Sequence, residues 1–432
     1  MFDNDYEVLY QMIKDERLEG NITVREMILK NLGNEALLNS IEINNPTLTI
    51  LVPELPENSF SAQLWNTENQ IPKVAIRLST TNNIPVINLD GSEEIIKQEY
   101  IPAYPIIVIK DNERIVVSNN SVNKGIKTRS VGVFNGVNYK FLDNSFDGVN
   151  KSKAELARTV EVSAIDPKII TAYNTYNAVN VDGWQRDYIY YGITPDSQKG
   201  PFKYNFQEGI KSFMLQGDLN SAYDKIAEQT GDPYMPGRIS ANDLSNIGGW
   251  ADGSFEFKVR ILVNAKNGVG SEIIKYFSAR VRDLFSFKYL GGPFYFYRRF
   301  EGFKKMDLNI PIFNWDLDQY ASTIKIDVEE VDLTVTTVLT ESRNAEFASN
   351  FSVDVSGGYK DYVKVGLKYG TSQKITKTST VQKTFTEGND LLGDVIVNFA
   401  DNVIIGADGA NYTTREYSSG LYSIGIEPIR VQ

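Results

Sequence analysis

The run IKIDVEEVDLTV, residues 324–335, places Ile324, Ile326 and Val328 in one phase of a two-residue alternation and Val331, Leu333 and Val335 in the other. Side chains of a β-strand point alternately to its two faces, so apolar residues at every second position read as a half-buried strand. The change of phase at Glu329-Glu330 predicts a β-bulge, where one extra residue returns the apolar side to the same face. Upstream, Phe255, Phe257, Val259 and Ile261 alternate in the same way, and Ser271 reads as the start of a helix carrying Ile273, Ile274 and Phe277. Downstream, Phe351 to Val355, Val363 to Tyr369 and Val395 to Phe399 read as strands, with Asp408-Gly409 as a hairpin turn. Strands at this spacing, with few helices between them, imply an antiparallel β-sandwich over residues 250–432.

Residues 1–45 read as an N-terminal helical hairpin. Tyr6, Leu9, Tyr10 and Ile13 recur at helical steps, and Thr23 with Glu26 forms a capping box ahead of Met27, Ile28 and Leu32, with Gly33 as the stop. Residues 46–120 read as a small β domain. Leu48 to Val52, Lys73 to Leu78, Ile84 to Leu89, Ile106 to Ile109 and Arg114 to Val117 are its strands, with prolines at their ends and Asp90-Gly91 as a turn. Residues 121–150 are polar and Gly-rich, a linker or loop. Residues 151–249 form a mixed α/β middle region, with a short helix through Leu219, Ala222, Tyr223 and Ile226 and an aromatic cluster of Trp184, Tyr188, Tyr190 and Tyr191. The fold class is mainly β with some α, an α+β chain.

Composition narrows the chemistry. The 432 residues include neither histidine nor cysteine, so the usual general base, thiolate nucleophiles, disulfides and the common soft metal ligands are all excluded. Carboxylate, Lys, Tyr or Ser/Thr chemistry remains, as does oxygen-ligated cation binding or no catalysis at all. A net charge of −11 without basic runs argues against a nucleic-acid partner. No stretch approaches the ~20 apolar residues of a transmembrane helix. Met1 to Gly20 lacks the form of a signal peptide, as would a chain whose export signal had been removed. The richness in Tyr, Phe, Asn, Thr and Gly points to a β-rich exported protein, extracellular or on an outer surface.

Four local features carry possible chemistry. Asp327, Glu329, Asp332, Asp390 and Asp394 form a carboxylate cluster that could bind calcium, the one cofactor expected, since grouped carboxylates need a cation or protons; solvated faces and turn residues are the alternative. The same carboxylates could act as the acid and nucleophile of a glycosidase. Phe294, Tyr295, Phe296, Tyr297, Arg298, Arg299 and Phe300 make an aromatic and basic strip suited to a membrane interface or a glycan, as is Trp184; the alternative is a buried strand with its arginines outward. Gly268 and Gly270 break the dinucleotide fingerprint, whose third glycine falls at Ile273. Finally, Thr371 to Thr386 is polar at every even position, with Ile375, Val381 and Phe385 among the odd ones. That alternation suits a pore stem, while Lys377 and Lys383 interrupt its apolar side and suit a guarded edge strand. Toxins that resemble aerolysin carry Ser/Thr-rich strands of this sort, which implies that residues 371–386 could rearrange into a membrane-inserted hairpin.

Two further resemblances rest on specific residues. Asp361-Tyr362-Val363-Lys364-Val365, Lys374 to Lys383 and Leu391-Leu392-Gly393-Asp394 resemble strands and a turn of C2 domains, and imply a sandwich that binds calcium and lipid headgroups. Pro46 to Ile50, Trp65, Ile71 to Ala75 and Pro105 to Arg114 resemble uncharacterised surface lipoproteins of the Bacteroidetes, as do Phe313 to Leu317 and Glu329 to Asp332. That resemblance implies export. The expectation is an exported, non-enzymatic binding protein whose partner is a membrane surface, a glycan or a surface protein, with toxin-like pore formation as its sharpest form. A carboxylate-based glycoside hydrolase and a structural surface component are the rivals.

Overall fold

The computed structural model describes all residues except 1–5, 79–82, 113, 120–129, 135–136, 142–145, 147–164, 179–182, 194–200, 228–248, 268, 332–335, 349–373, 387–389 and 432. The chain is mostly β, with several antiparallel sheets and few helices. It divides into two compact units: Met1–Lys153 with Leu219–Glu256 and Tyr276–Phe303, and Ala154–Asp218 with Phe257–Lys275 and Lys304–Gln432.

The first unit is built on a six-stranded sheet. Its order is Tyr6–Leu9, Leu48–Val52, Ile106–Asp111, Lys73–Arg77, Asn83–Ile87 and Glu93–Lys97. All neighbours are antiparallel except Lys73–Arg77 and Ile106–Asp111, which run parallel. Strict alternation sets the inner face: Asn83 and Pro85 are exposed, whereas Ile84 and Val86 are buried with Leu51, Ala75, Ile96, Ile106 and Val108. Burying each such aliphatic side chain contributes roughly 1.5–3 kcal/mol. A three-stranded sheet of Phe285–Gly291, Tyr295–Phe303 and Ile101–Pro102 belongs to the same unit, and Tyr289, Tyr295 and Phe296 pack against the six-stranded sheet's core.

The N-terminal expectation needs correction. Tyr6–Leu9 is a strand, antiparallel to Leu48–Val52, and only Tyr10–Ile13 is helical there. Four apolar residues at helical steps also fit a strand followed by one helical turn, and the sheet edge supplies the backbone partners that decide between them. The helices are Val24–Leu32 and Glu35–Asn44. Thr23 caps the first as read: its Oγ1 accepts from the Glu26 amide at 3.1 Å while Glu26 Oε2 accepts from the Thr23 amide at 2.7 Å. Gly33 ends it at φ 65°.

The second unit contains two four-stranded antiparallel sheets. One runs Met306–Phe313, Phe206–Leu215, Tyr422–Arg430 and Glu416–Ser418; the other, most of which lies in this unit, runs Ser271–Ala279, Phe255–Ala265, Tyr320–Glu330 and Asp390–Asn398. They face each other in a sandwich-like arrangement, with the Phe213 and Phe257 rings 5.1 Å apart and the Tyr422 hydroxyl donating to the Ile326 carbonyl at 3.5 Å. Ser271–Ala279 is therefore a strand, not the expected helix. Its β-branched and aromatic residues suit a pleated surface, and strand 255–265 offers an edge to pair with. The expected bulge at Glu329-Glu330 needs correction: strand 320–330 runs through Val328, Glu329 and Glu330 without a slip against strand 255–265, and the extra residue is Leu392 on the other neighbour, between Gly393 opposite Val328 and Leu391 opposite Glu329. Gly393 holds φ 118°, and a Cβ there would meet that of Ser419 at 2.9 Å, so glycine is required. The expected strands at 351–355 and 363–369 fall outside the described residues.

Candidate functional site

Strands 320–330 and 390–398 are direct neighbours, yet the chain between them leaves the sheet and returns. It does so as a two-stranded antiparallel ribbon, Thr336–Ala348 paired with Lys374–Thr386, in unbroken register from Thr336↔Thr386 to Ala348↔Lys374. This ribbon and the sheet that carries it are the candidate site.

The carrier sheet has two unlike faces. Val259, Ile261 and Val263 lie opposite Val328, Ile326 and Ile324 on the apolar face. Lys258 and Arg260 lie opposite Glu329 and Asp327 on the other. These charges are buried: Arg260 is 0% exposed and Asp327 1%. Arg260 reaches Glu272 at 2.8 Å, Asp327 at 3.4 Å and Glu329 at 2.6 Å; Lys258 lies 3.8 Å from Glu329 and Lys325 3.2 Å from Asp327. The formal charges of these residues cancel, which is what makes their burial tolerable.

Register sorts the ribbon into faces, because directly opposed residues share one. One face carries Thr336/Thr386, Val338/Thr384, Thr340/Gln382, Ser342/Thr380, Asn344/Thr378, Glu346/Thr376 and Ala348/Lys374. Every pair on it includes a polar residue, Val338 and Ala348 are its apolar members, and it is rich in hydroxyls. The other carries Thr337/Phe385, Leu339/Lys383, Glu341/Val381, Arg343/Ser379, Ala345/Lys377 and Phe347/Ile375. Every pair on it except Arg343/Ser379 includes an apolar residue, and Lys377 and Lys383, which break the apolar side of their own strand, stand opposite Ala345 and Leu339. Opposed residues on antiparallel strands have Cα atoms ~4.5–5.5 Å apart, within disulfide range. Ser342→Cys with Thr380→Cys is therefore expected to oxidise to an internal disulfide. Ser342→Cys with Ser379→Cys, one residue out of register, should stay reduced; thiol titration reads both cleanly in a cysteine-free chain, and equal oxidation of the two would refute the register.

The carboxylates expected to hold calcium are only partly brought together. Asp327 and Glu329 share Arg260, and Asp394 stands opposite Asp327, 4.0 Å from Lys325. Asp390 stands opposite Glu330, and Asp332 lies outside the described residues. Among the described residues no group of three or more acidic side chains is placed to hold a metal ion. Cations of the protein already neutralise Asp327 and Glu329.

The aromatic strip forms strand 295–303 and the turn before it. Phe294 is 68% exposed at the tip, Tyr295, Phe296, Tyr297 and Phe300 are half-buried, and Arg299 is exposed. Arg298 turns inward, its guanidinium 5.3 Å from the Phe287 ring, and burial lowers its pKa. One arginine of the pair thus faces out and the other in, as strand alternation demands. Trp184 is buried against Phe399 at 5.7 Å, and so packs a core instead of presenting a ring to a ligand. Tyr188, Tyr190 and Tyr191 beside it are buried too.

That core encloses a second ionic knot. Arg186, fully buried, pairs with Glu208 at 2.7 Å, and the Tyr190 hydroxyl donates to Glu208 at 2.7 Å. Burial and the Glu208 charge raise the Tyr190 pKa well above its ordinary value. Glu427 is also buried, and burial pushes its pKa from 4.5 up to about 7, with Lys211 at 3.9 Å too distant to offset it and Glu208 adding repulsion. The folded state thus retains a proton that the unfolded chain has already released. Glu427 contributes stability that is fully present below pH ~4.5 and is lost as pH rises through 7. Glu427→Gln is expected to match the wild type in denaturant unfolding at pH 4.5 and to exceed it at pH 8, by at most about 3 kcal/mol at 1.36 kcal/mol per pKa unit. Equal stability at pH 8 would remove this account.

Sequence reasoning missed Lys258, Arg260 and the strand 336–348. The signal was present for the first two: Glu256, Lys258 and Arg260 fill the polar phase of the same alternation that identified strand 255–265. A polar phase made wholly of charges, matched in register by Lys325, Asp327 and Glu329, marks a buried ionic ladder. Compared with known proteins, the chain matches no family model, and no curated protein or solved structure matches it.

Proposed function

We propose that this chain is an exported protein that acts on membranes, and that the segment 336–386 is its membrane-inserting hairpin. The observation that carries this is the register of the ribbon, which separates a Ser/Thr-rich face from one on which Phe347, Ile375, Ala345, Val381, Leu339 and Phe385 stand among Glu341, Arg343, Lys377 and Lys383. A β-barrel that crosses a bilayer needs that division, a wet side and a lipid side, over about 9–11 residues per strand. Strands of 13 residues exceed the requirement. In the sequence joining them two runs keep the alternation, broken between them at Asp361-Tyr362: Phe351, Val353, Val355, Val363, Val365, Leu367 and Tyr369 are odd, whereas Ser352, Asp354, Ser356, Lys364 and Lys368 are even. Lys377, Lys383 and Arg343 on that face can extend their charged ends to the interface, and Glu341 is the one acid that the face carries. Among the described residues no helix is long and apolar enough to cross a membrane, so strands are the available route.

Dye release from mixed-lipid liposomes, measured with calcium and then with a chelator, tests the proposal. Release in either condition supports it, and calcium dependence would revive the carboxylate cluster as an ion site. Intact vesicles under both conditions, with the protein bound or unbound, would sink it. Turnover of a chromogenic glycoside that disappears on single Glu→Gln changes would instead support the hydrolase.

A further inference from the structure

In the antiparallel pair 285–291/295–303, Lys288 lies directly opposite Arg299. Both are exposed, and among the described residues neither makes an ion pair. Like charges placed directly across two strands repel. Two residues further along the same face, Tyr297 stands with the Tyr100 ring edge-on to it at 5.4 Å, and Tyr100 also meets Tyr295 at 5.8 Å. The tip beyond is Phe294, whose carbonyl accepts from the Ala103 amide at 2.9 Å, fixing the tyrosine-bearing loop to the hairpin. One sheet face therefore runs from an opposed cation pair to a tyrosine cluster, and the turn that ends the hairpin carries the exposed Phe294.

We propose that this face binds the phosphocholine headgroup of a lipid surface. The inference rests on the membrane reading and names the lipid chemistry it recognises. A phosphate neutralises the opposed Lys288 and Arg299, the latter able to grip two oxygens at once. A quaternary ammonium is held by the electron-rich faces of aromatic rings, here those around Tyr297. Residues two apart on one strand face are separated by about 6.6 Å, a spacing that one zwitterionic headgroup bridges. The net charge of −11 opposes approach to an anionic bilayer, so a zwitterionic surface suits the chain better. A neutral sugar would use the rings and leave the cation pair without purpose. Phe294 supplies an apolar tip for the interface itself.

The test is co-sedimentation with phosphatidylcholine vesicles and, separately, with phosphatidylglycerol vesicles, with soluble phosphocholine as competitor. Wild-type protein is expected to bind the first, to lose binding to excess phosphocholine, and to bind the second at least tenfold more weakly. Tyr297→Ala and the double change Lys288→Glu with Arg299→Glu should each reduce binding tenfold or more. Tyr297→Phe and Lys288→Arg should retain it, and thermal unfolding should show every variant folded. Unchanged binding by the charge-reversed or alanine variants would overturn the proposal, as would preference for phosphatidylglycerol, indifference to phosphocholine, or binding to glycans alone. Dye release recorded on the same vesicles separates the two readings. Binding that follows this pattern without leakage removes the pore and leaves the headgroup site, whereas leakage unaltered by the Lys288, Arg299 and Tyr297 changes removes the headgroup site and leaves the pore.

Discussion

Arg260→Met is expected to lower the unfolding free energy by about 3–5 kcal/mol, the usual consequence of removing one partner from a buried ionic cluster. The size follows from what is left behind. Glu272, Asp327 and Glu329 lie within 3.4 Å of the guanidinium, and Asp327 and Glu329 are almost inaccessible to water. Without Arg260 they must repel one another in a medium of low polarizability or take up protons. The loss should therefore shrink at acid pH, where protonation relieves the repulsion. Adding Asp327→Asn and Glu329→Gln to Arg260→Met should recover part of the stability, because neutral groups of the same shape do not need the cation. Chemical denaturation of the three proteins at pH 5 and pH 8 measures both effects. A loss under 1 kcal/mol for Arg260→Met, with no pH dependence, would show that the ladder is solvated and not a structural element.

Aspartates introduced at the Phe347/Ile375 pair are expected to cut dye release about 100-fold, while aspartates at Asn344/Thr378 should leave it within about threefold. The two variants are matched: each sets two like charges directly opposite one another on the same ribbon. They lie three pairs apart on the ribbon and on opposite faces. Charges on the lipid side of a membrane barrel cost up to about 2–4 kcal/mol each for basic residues at mid-depth and less for Asp, so a combined penalty of about 3 kcal/mol corresponds to the 100-fold loss. On the hydroxyl-rich face the carboxylates would meet water. Both variants should still bind vesicles, since the ribbon and the Lys288/Arg299 face belong to different compact units and are proposed for separate steps. Equal losses from both pairs would mean that the ribbon does not sort its faces between lipid and water, and the insertion proposal would fail.

Local chemistry was legible wherever a residue's own neighbours in sequence decide its state. Thr23, Glu26 and Gly33 fix the first helix through hydrogen bonds and a backbone angle that span only a few residues. Asp408-Gly409 joins strands 404–408 and 411–414, and the alternation at 255–261 and 324–328 shows as strands because one side of each must leave water. The absence of histidine and cysteine bounded the chemistry without any structure. What the sequence left open was decided by partners distant in the chain. Tyr6–Leu9 became a strand because Leu48–Val52 offered a ladder, and Ser271–Ala279 did so beside Phe255–Ala265. The buried side of Arg298 follows from the sheet on which its strand lies. Above all, the faces of the ribbon depend on register: a slip by one residue would set the even positions of one strand on the same face as the odd positions of the other. Periodicity tells which residues share a side of one strand, but only pairing between strands tells which side two strands share.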